Sequence, residues 1–174
     1  KQWEVDKKRA VRVGLVQWQM RAYNTLDDVF EQVEFFVDAV SGYKRDFVLF
    51  PEYFNAPLLA KFNNMGEAQS IRALAQYTAE IRDRFLNLAI SYNINIITGS
   101  MPYVKEDGGL YNVGFLCRRD GTFDMYEKVH VTPDEVKSWG LSGGRMVQTF
   151  DTDCAKIGVL ICYDVEFPEL SRIM

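Results

Sequence analysis

The sequence predicts a layered α/β domain whose sheet mixes parallel and antiparallel pairing. Short apolar runs alternate with segments of helical period in the order strand, helix, strand, helix, strand. Several more strands then follow one another with no helix between them. The chain has 174 residues and is 48% hydrophobic, which is enough for one domain with a substantial core.

Taken in order, residues 1–9 are mostly charged and polar and read as a linker from an upstream segment. Residues 10–18 (AVRVGLVQW) read as a first strand. Thr25-Leu26-Asp27-Asp28 has the form of a capping box, with Asp in place of the preferred Glu. Leu26, Val29, Phe30, Val33, Phe36, Val37 and Val40 follow at helical spacing, and Ser41-Gly42 ends that helix. Residues 47–50 (FVLF) form a wholly apolar strand that Pro51 stops. Asn55, Pro57, Asn63, Asn64 and Gly66 mark residues 53–66 as a loop.

Residues 67–92 read as one long helix, with its stripe at Ile71, Leu74, Ala75, Ile81, Phe85, Leu88 and Ala89. Residues 94–98 are a strand closed by Gly99, and Asp107-Gly108-Gly109 is a turn. Residues 110–117 and 122–126 pair as a hairpin through Asp120-Gly121. Residues 146–150 and 154–161 read as two more strands. The domain is expected to span residues 10–174 and to be incomplete at its C-terminus, because the chain ends barely a turn into a helix. A start at Lys1 likewise points to a longer polypeptide.

A net charge of −4 argues against nucleic acid or an anionic membrane as the main partner. No apolar run approaches transmembrane length, and no leader is evident. Three cysteines at wide spacing make neither a disulfide framework nor a zinc site, so a reduced, cytoplasmic setting is expected. No metal or organic cofactor is called for.

The sequence is organised around residues 157–170 (IGVLICYDVEFPEL). Its apolar run reads as a strand buried on both faces, ending on Cys162. Phe167-Pro168-Glu169-Leu170 reads as a helix start. A cysteine on such a turn presents its sulfur at the sheet edge, near N–H groups that favour an anion. It can equally be a small buried apolar residue, and this stretch alone leaves both readings open.

A cysteine nucleophile needs a base, an oxyanion stabiliser and an orienting group. His130 is the one histidine. Glu52 and Lys128 also stand at strand ends, as Cys162 does. Singly, each reads more naturally as a solvated surface charge.

Together they carry a resemblance. Pro51-Glu52 after an apolar strand, Glu127-Lys128-Val129-His130 after a hairpin, and Cys162-Tyr163-Asp164-Val165-Glu166-Phe167-Pro168-Glu169-Leu170 resemble the signatures of the nitrilase, or carbon–nitrogen hydrolase, superfamily. The three occur in that family's order, and Val13-Gly14-Leu15-Val16-Gln17 is similar to its first strand.

The resemblance implies a four-layer αββα sandwich with a catalytic triad of Glu52, Lys128 and Cys162. Glu52 would be the general base, and Lys128 and the backbone N–H of Tyr163 would stabilise the oxyanion. Glu135 would support the lysine or the substrate, although Asp134 is adjacent. Asp164 would support the turn, His130 would be structural, and Cys117 and Cys154 would be core residues within strands. The implied reaction is hydrolysis of a small linear amide through a thioester, with amides preferred to nitriles. A homo-oligomeric full-length protein is also implied, and an upstream domain is weakly suggested.

One departure concerns Glu166, which stands where many members have Arg and so removes the expected site for a substrate carboxylate. The missing C-terminal part would leave the isolated 174-residue chain inactive. Two alternatives remain: a Cys162–His130 thiol hydrolase, and an inactive scaffold or assembly domain.

Overall fold

The computed structural model describes residues 10–174; the expected linker, residues 1–9, lies outside the described residues. A sheet runs in the order β1 (Val13–Leu15), β2 (Phe47–Leu49), β3 (Asn95–Val104), β4 (Leu110–Cys117), β5 (Phe123–Glu127). The first three strands are parallel, and β3, β4 and β5 are antiparallel neighbours. A two-residue strand, β6 (Leu141–Ser142), adds to β4 in parallel. The parallel pairs are those with helices between them, and the antiparallel pairs follow a tight turn.

Helices α1 (Leu26–Gly42) and α3 (Thr78–Ser91) cover one face of the sheet. The Thr25 hydroxyl accepts the Asp28 N–H at 3.1 Å, and the Asp28 carboxylate accepts the Thr25 N–H at 2.9 Å, completing the expected box. Such a cap stabilises a helix start by about 1 kcal/mol. Leu26, Val29, Phe30, Val33 and Val37 are buried. They join Val48, Phe50, Ile96, Val113 and Phe115 in the main core, together with Ile81 and Phe85 of α3.

The stretch read as one helix over residues 67–92 is broken into α2 (Glu67–Leu74), a tight turn at Ala75–Tyr77, and α3. The buried Thr78 hydroxyl donates to the Pro102 carbonyl at 2.6 Å at this break. The break lets Ile71 pack with Leu110 and Leu141 while Ile81 and Phe85 face the main core. One straight helix would present a single stripe. The expected loop 53–66 contains a 3₁₀ turn, Ala56–Phe62, with Pro57 near its start. β1 is shorter than residues 10–18, and β3 runs on to Val104.

The opposite face carries β7 (Thr149–Asp151) paired with β8 (Lys156–Gly158). Phe150, Ile157, Val159 and Ile161 pack there on Phe47, Ile97, Leu116 and Tyr126. The strand expected over 154–161 is therefore corrected. It is three residues long, lies outside the main sheet, and is not buried on both faces. Its apolar run serves a one-sided contact and then leaves the strand before Cys162. Cys117 is buried in β4 as expected, whereas Cys154 is half-buried in the turn between β7 and β8. Helix α4 (Pro168–Ile173) begins at Pro168. No helix among the described residues is long and apolar enough to cross a membrane.

Candidate active site

Glu52 is carried by the turn after β2, and the sheet holds that turn closely. Phe50 and Phe54, on either side of it, are buried. Each packs edge-on to Trp18 and to Phe85, with ring centroids 5.1–6.0 Å apart. The Phe50 N–H donates to the Ile97 carbonyl at 3.0 Å, and the Tyr53 N–H to the Ser100 carbonyl at 2.7 Å. Between these partners the β3–β4 register shifts, as at a bulge. Gly99 sits in the shift with φ +75, and a Cβ there would lie 2.2 Å from the Pro51 carbonyl oxygen. Only glycine permits that approach. The Glu52 Oε1 accepts a hydrogen bond from Asn112 Nδ2 at 2.7 Å.

Lys128 follows β5 and is 1% exposed. Its N–H donates to the Asn112 carbonyl at 2.9 Å, and its carbonyl accepts from the Gly144 N–H at 2.7 Å. The strand's alternation sends Glu127 outward to Lys105, at 2.8 Å, and Lys128 inward. Its Nζ lies 3.1 Å from Glu52 Oε1, and 2.8 and 3.0 Å from the two Glu135 oxygens. Burial alone would lower the ammonium pKa. The hydrogen bond to Glu135 and the charge of Glu52 outweigh it, so Lys128 titrates above its ordinary value.

Glu135 opens a short helical turn, Glu135–Trp139. The Thr132 N–H donates to Glu135 Oε2 at 2.7 Å, and the Glu135 N–H donates to the Thr132 hydroxyl at 3.3 Å. Thr132-Pro133-Asp134-Glu135 is thus a capping box, a spacing that separates Glu135 from its neighbour. Glu135 is buried and Asp134 is exposed.

Cys162 is exposed and opens a 3₁₀ turn, Cys162–Glu166. Its φ is +48, and that of Tyr53 is +54. Non-glycine residues in this region are uncommon, cost roughly 1–2 kcal/mol, and concentrate at functional sites. The N–H beside the sulfur is that of Tyr163. The thiol pKa is raised, first by loss of hydration and then by the charge of Glu52. Lys128 and the Tyr163 N–H pull it down less. The resting sulfur is therefore a thiol beside a carboxylate.

The structure thus brings Glu52, Lys128, Glu135 and Cys162 together from four separate segments. Asp164 joins two of these segments. Its buried carboxylate accepts the backbone N–H groups of Val129 at 3.2 Å and His130 at 2.7 Å. The His130 Nδ1 lies 3.1 Å from the same carboxylate, and its ring stacks on Phe167 with centroids 3.6 Å apart. No hydrogen bond among the described residues joins His130 to Cys162. Glu166 is exposed. No cluster of His, Cys, Asp or Glu with the makings of a metal site occurs among the described residues.

Tyr53 was not legible as a site residue, since residues 53–66 read as a loop. Its hydroxyl is buried without a hydrogen-bond partner among the described residues. Its ring meets that of Trp139, in the Glu135 turn, edge-on at 5.5 Å.

The fold and this cluster define an α/β protein with a cysteine, two carboxylates and a buried lysine at one edge of its sheet. The carbon-nitrogen hydrolase family profile matches residues 12–174, and the chain belongs to that family, within the nitrilase superfamily. It is 42% identical over 163 residues to YhcX of Bacillus subtilis (strain 168), a probable hydrolase, covering 94% of this chain and 32% of that protein. It is 32% identical over 172 residues to the human omega-amidase NIT2, covering 93% of this chain and 58% of that one. The chain thus spans less than two thirds of either relative.

Among solved structures, Saccharomyces cerevisiae Nit3, of branch 10 of the nitrilase superfamily, matches with a TM-score of 0.72 and 26% identity. That match covers 94% of this chain and 59% of Nit3. A carbon-nitrogen hydrolase from Helicobacter pylori shares the fold with a TM-score of 0.78 at 20% identity, over 94% of this chain and 55% of that one.

Proposed function

We propose that the protein hydrolyses the C–N bond of a small linear amide, with Cys162 as nucleophile, Glu52 as general acid–base and Lys128 as oxyanion stabiliser. The observation that carries this reading is the Lys128 ammonium held 3.1 Å from Glu52 Oε1, in a cluster where the Glu52 charge acts on the Cys162 thiol. A protonated thiol beside a carboxylate is the starting state that general-base activation requires.

Glu52 takes the thiol proton as the sulfur attacks the amide carbon. The carbonyl electrons move to oxygen, which the Lys128 ammonium and the Tyr163 N–H stabilise. The tetrahedral adduct collapses, the C–N bond breaks, and Glu52 returns the proton to the departing nitrogen. A thioester on Cys162 remains. Water, deprotonated by Glu52, attacks it, and the carboxylic acid leaves as the sulfur regains its proton. Glu135 acts by holding the Lys128 ammonium in place.

The name omega-amidase carried by NIT2 favours amides as the substrate class. Within the four-residue cluster two carboxylates face one ammonium, which favours a neutral amide over an anionic one. The exposed Glu166 adds no cation to offset this. The test is turnover of short primary amides by the full-length protein and its Glu52→Gln variant. The variant should lose about 10²–10⁴-fold in kcat. Retention of wild-type kcat would remove Glu52 from the mechanism.

A further inference from the structure

The hydroxyl of Tyr53 is enclosed yet makes no hydrogen bond among the described residues. A phenol in that position is ordinarily partnered, because an unmade bond costs stability with no return in the folded state. Its position bears on the site directly. Tyr53 follows Glu52, is held in a left-handed conformation, and is fixed by its N–H on Ser100. Its ring is braced by Trp139, four residues beyond Glu135. The charges of Glu135, Glu52 and Cys162 all reach the hydroxyl and, with burial, keep it protonated. It is therefore a donor without an acceptor among the described residues, at the edge of the cluster.

We propose that Tyr53 is a substrate-binding residue, whose hydroxyl donates a hydrogen bond to a neutral acceptor atom of the bound amide. Two features select the ligand chemistry. The hydroxyl has a proton to give, so the ligand atom is an acceptor. The neighbouring carboxylates repel an anion, so that atom is a carbonyl-type oxygen rather than a carboxylate. Specificity follows from the orphan itself: a site built to bond such a group discriminates against ligands that leave it unmet.

The inference rests on the amidase reading above, and the experiment separates the two. Wild type and Tyr53→Phe are compared in the full-length protein for butyramide turnover, thermal stability and the rate of Cys162 alkylation by iodoacetamide. The expected result is a fall in kcat/KM of about tenfold or more. Tm should be equal or higher, because the group removed is unpartnered, and alkylation should change by less than about twofold, because the nucleophile is untouched. Unchanged kcat/KM in Tyr53→Phe would overturn the inference and leave the amidase reading intact. A parallel fall in Tm and activity would make Tyr53 a packing residue and would also overturn it. Absence of amide turnover in the wild type would overturn both.

Discussion

Asp164 Oδ1 accepts the backbone N–H of His130 at 2.7 Å, and this bond ties the Cys162 turn to the Lys128 loop. The same carboxylate accepts the Val129 N–H, so the residues directly after Lys128 are fixed by a side chain two positions after Cys162. Asp164→Ala would leave these buried donors unmet and is expected to cost about 2–4 kcal/mol in urea unfolding. Asp164→Asn keeps one acceptor oxygen and should cost less. Equal stability of Asp164→Ala and wild type would show that the loops hold their relation by other means.

The Cys162 thiol gives a prediction with opposite signs for its two neighbours. Glu52 raises its pKa and Lys128 lowers it. Removing the anion with Glu52→Gln should speed iodoacetamide labelling of Cys162 at pH 8 by about threefold or more, while Lys128→Met should slow it. Turnover should fall in both. Faster labelling with slower catalysis is what a general base produces, since the same carboxylate that holds the thiol protonated takes its proton during attack. Mapping the labelled cysteine by mass spectrometry checks the assignment. Slower labelling in Glu52→Gln would refute it.

The hydrogen bond that Lys128 donates to Glu135 is the largest single counterweight to burial at Lys128. Glu135→Gln keeps the shape and removes the charge, so it is expected to destabilise by roughly 2 kcal/mol at neutral pH. The folded pKa of Lys128 is raised. Its stabilising contribution is therefore complete below the unfolded value, about 10.4, and is lost as pH rises through the folded value. The gap in stability between wild type and Glu135→Gln should accordingly be constant near neutrality and narrow above about pH 10.5. A gap that does not depend on pH would mean that Glu135 acts by packing alone.

Gly99 tests how Glu52 is placed. A Cβ at φ +75, 2.2 Å from the Pro51 carbonyl oxygen, forces the turn that bears Glu52 away from β3. Gly99→Ala is expected to cost about 3 kcal/mol or more and to lower kcat in whatever protein still folds. Wild-type kcat in folded Gly99→Ala would uncouple the bulge from the site.

The parts of this arrangement that local chemistry dictates were legible in the sequence. Thr25 and Asp28 announce the start of α1 because a capping box is made within four residues. The turn at Asp120-Gly121 fixes the β4–β5 hairpin. Glu52 and Lys128 could be picked out because each follows an apolar or hairpin strand, and Cys162 because it closes an apolar run; the three motifs together, not any one of them, carried the resemblance.

What was not legible depends on partners distant in sequence. The break between α2 and α3 answers to the Pro102 carbonyl. The apolar run before Cys162 reads as a central strand, yet it packs one-sidedly on Phe47 and Tyr126. The role of Tyr53 shows only once the Glu135 turn is folded beside it. Glu135 itself could have been separated from Asp134 by the Thr132-x-x-Glu135 spacing.

In the proposed reaction Cys162 carries the acyl group during turnover. The direct measurement is acid quench of the full-length protein during steady-state butyramide hydrolysis, followed by intact-mass and peptide mass spectrometry. The expected result is a butyryl adduct on Cys162 that disappears when the amide is exhausted, with neither adduct nor turnover in Cys162→Ala. Sustained amide hydrolysis by Cys162→Ala would show that Cys162 is not the nucleophile.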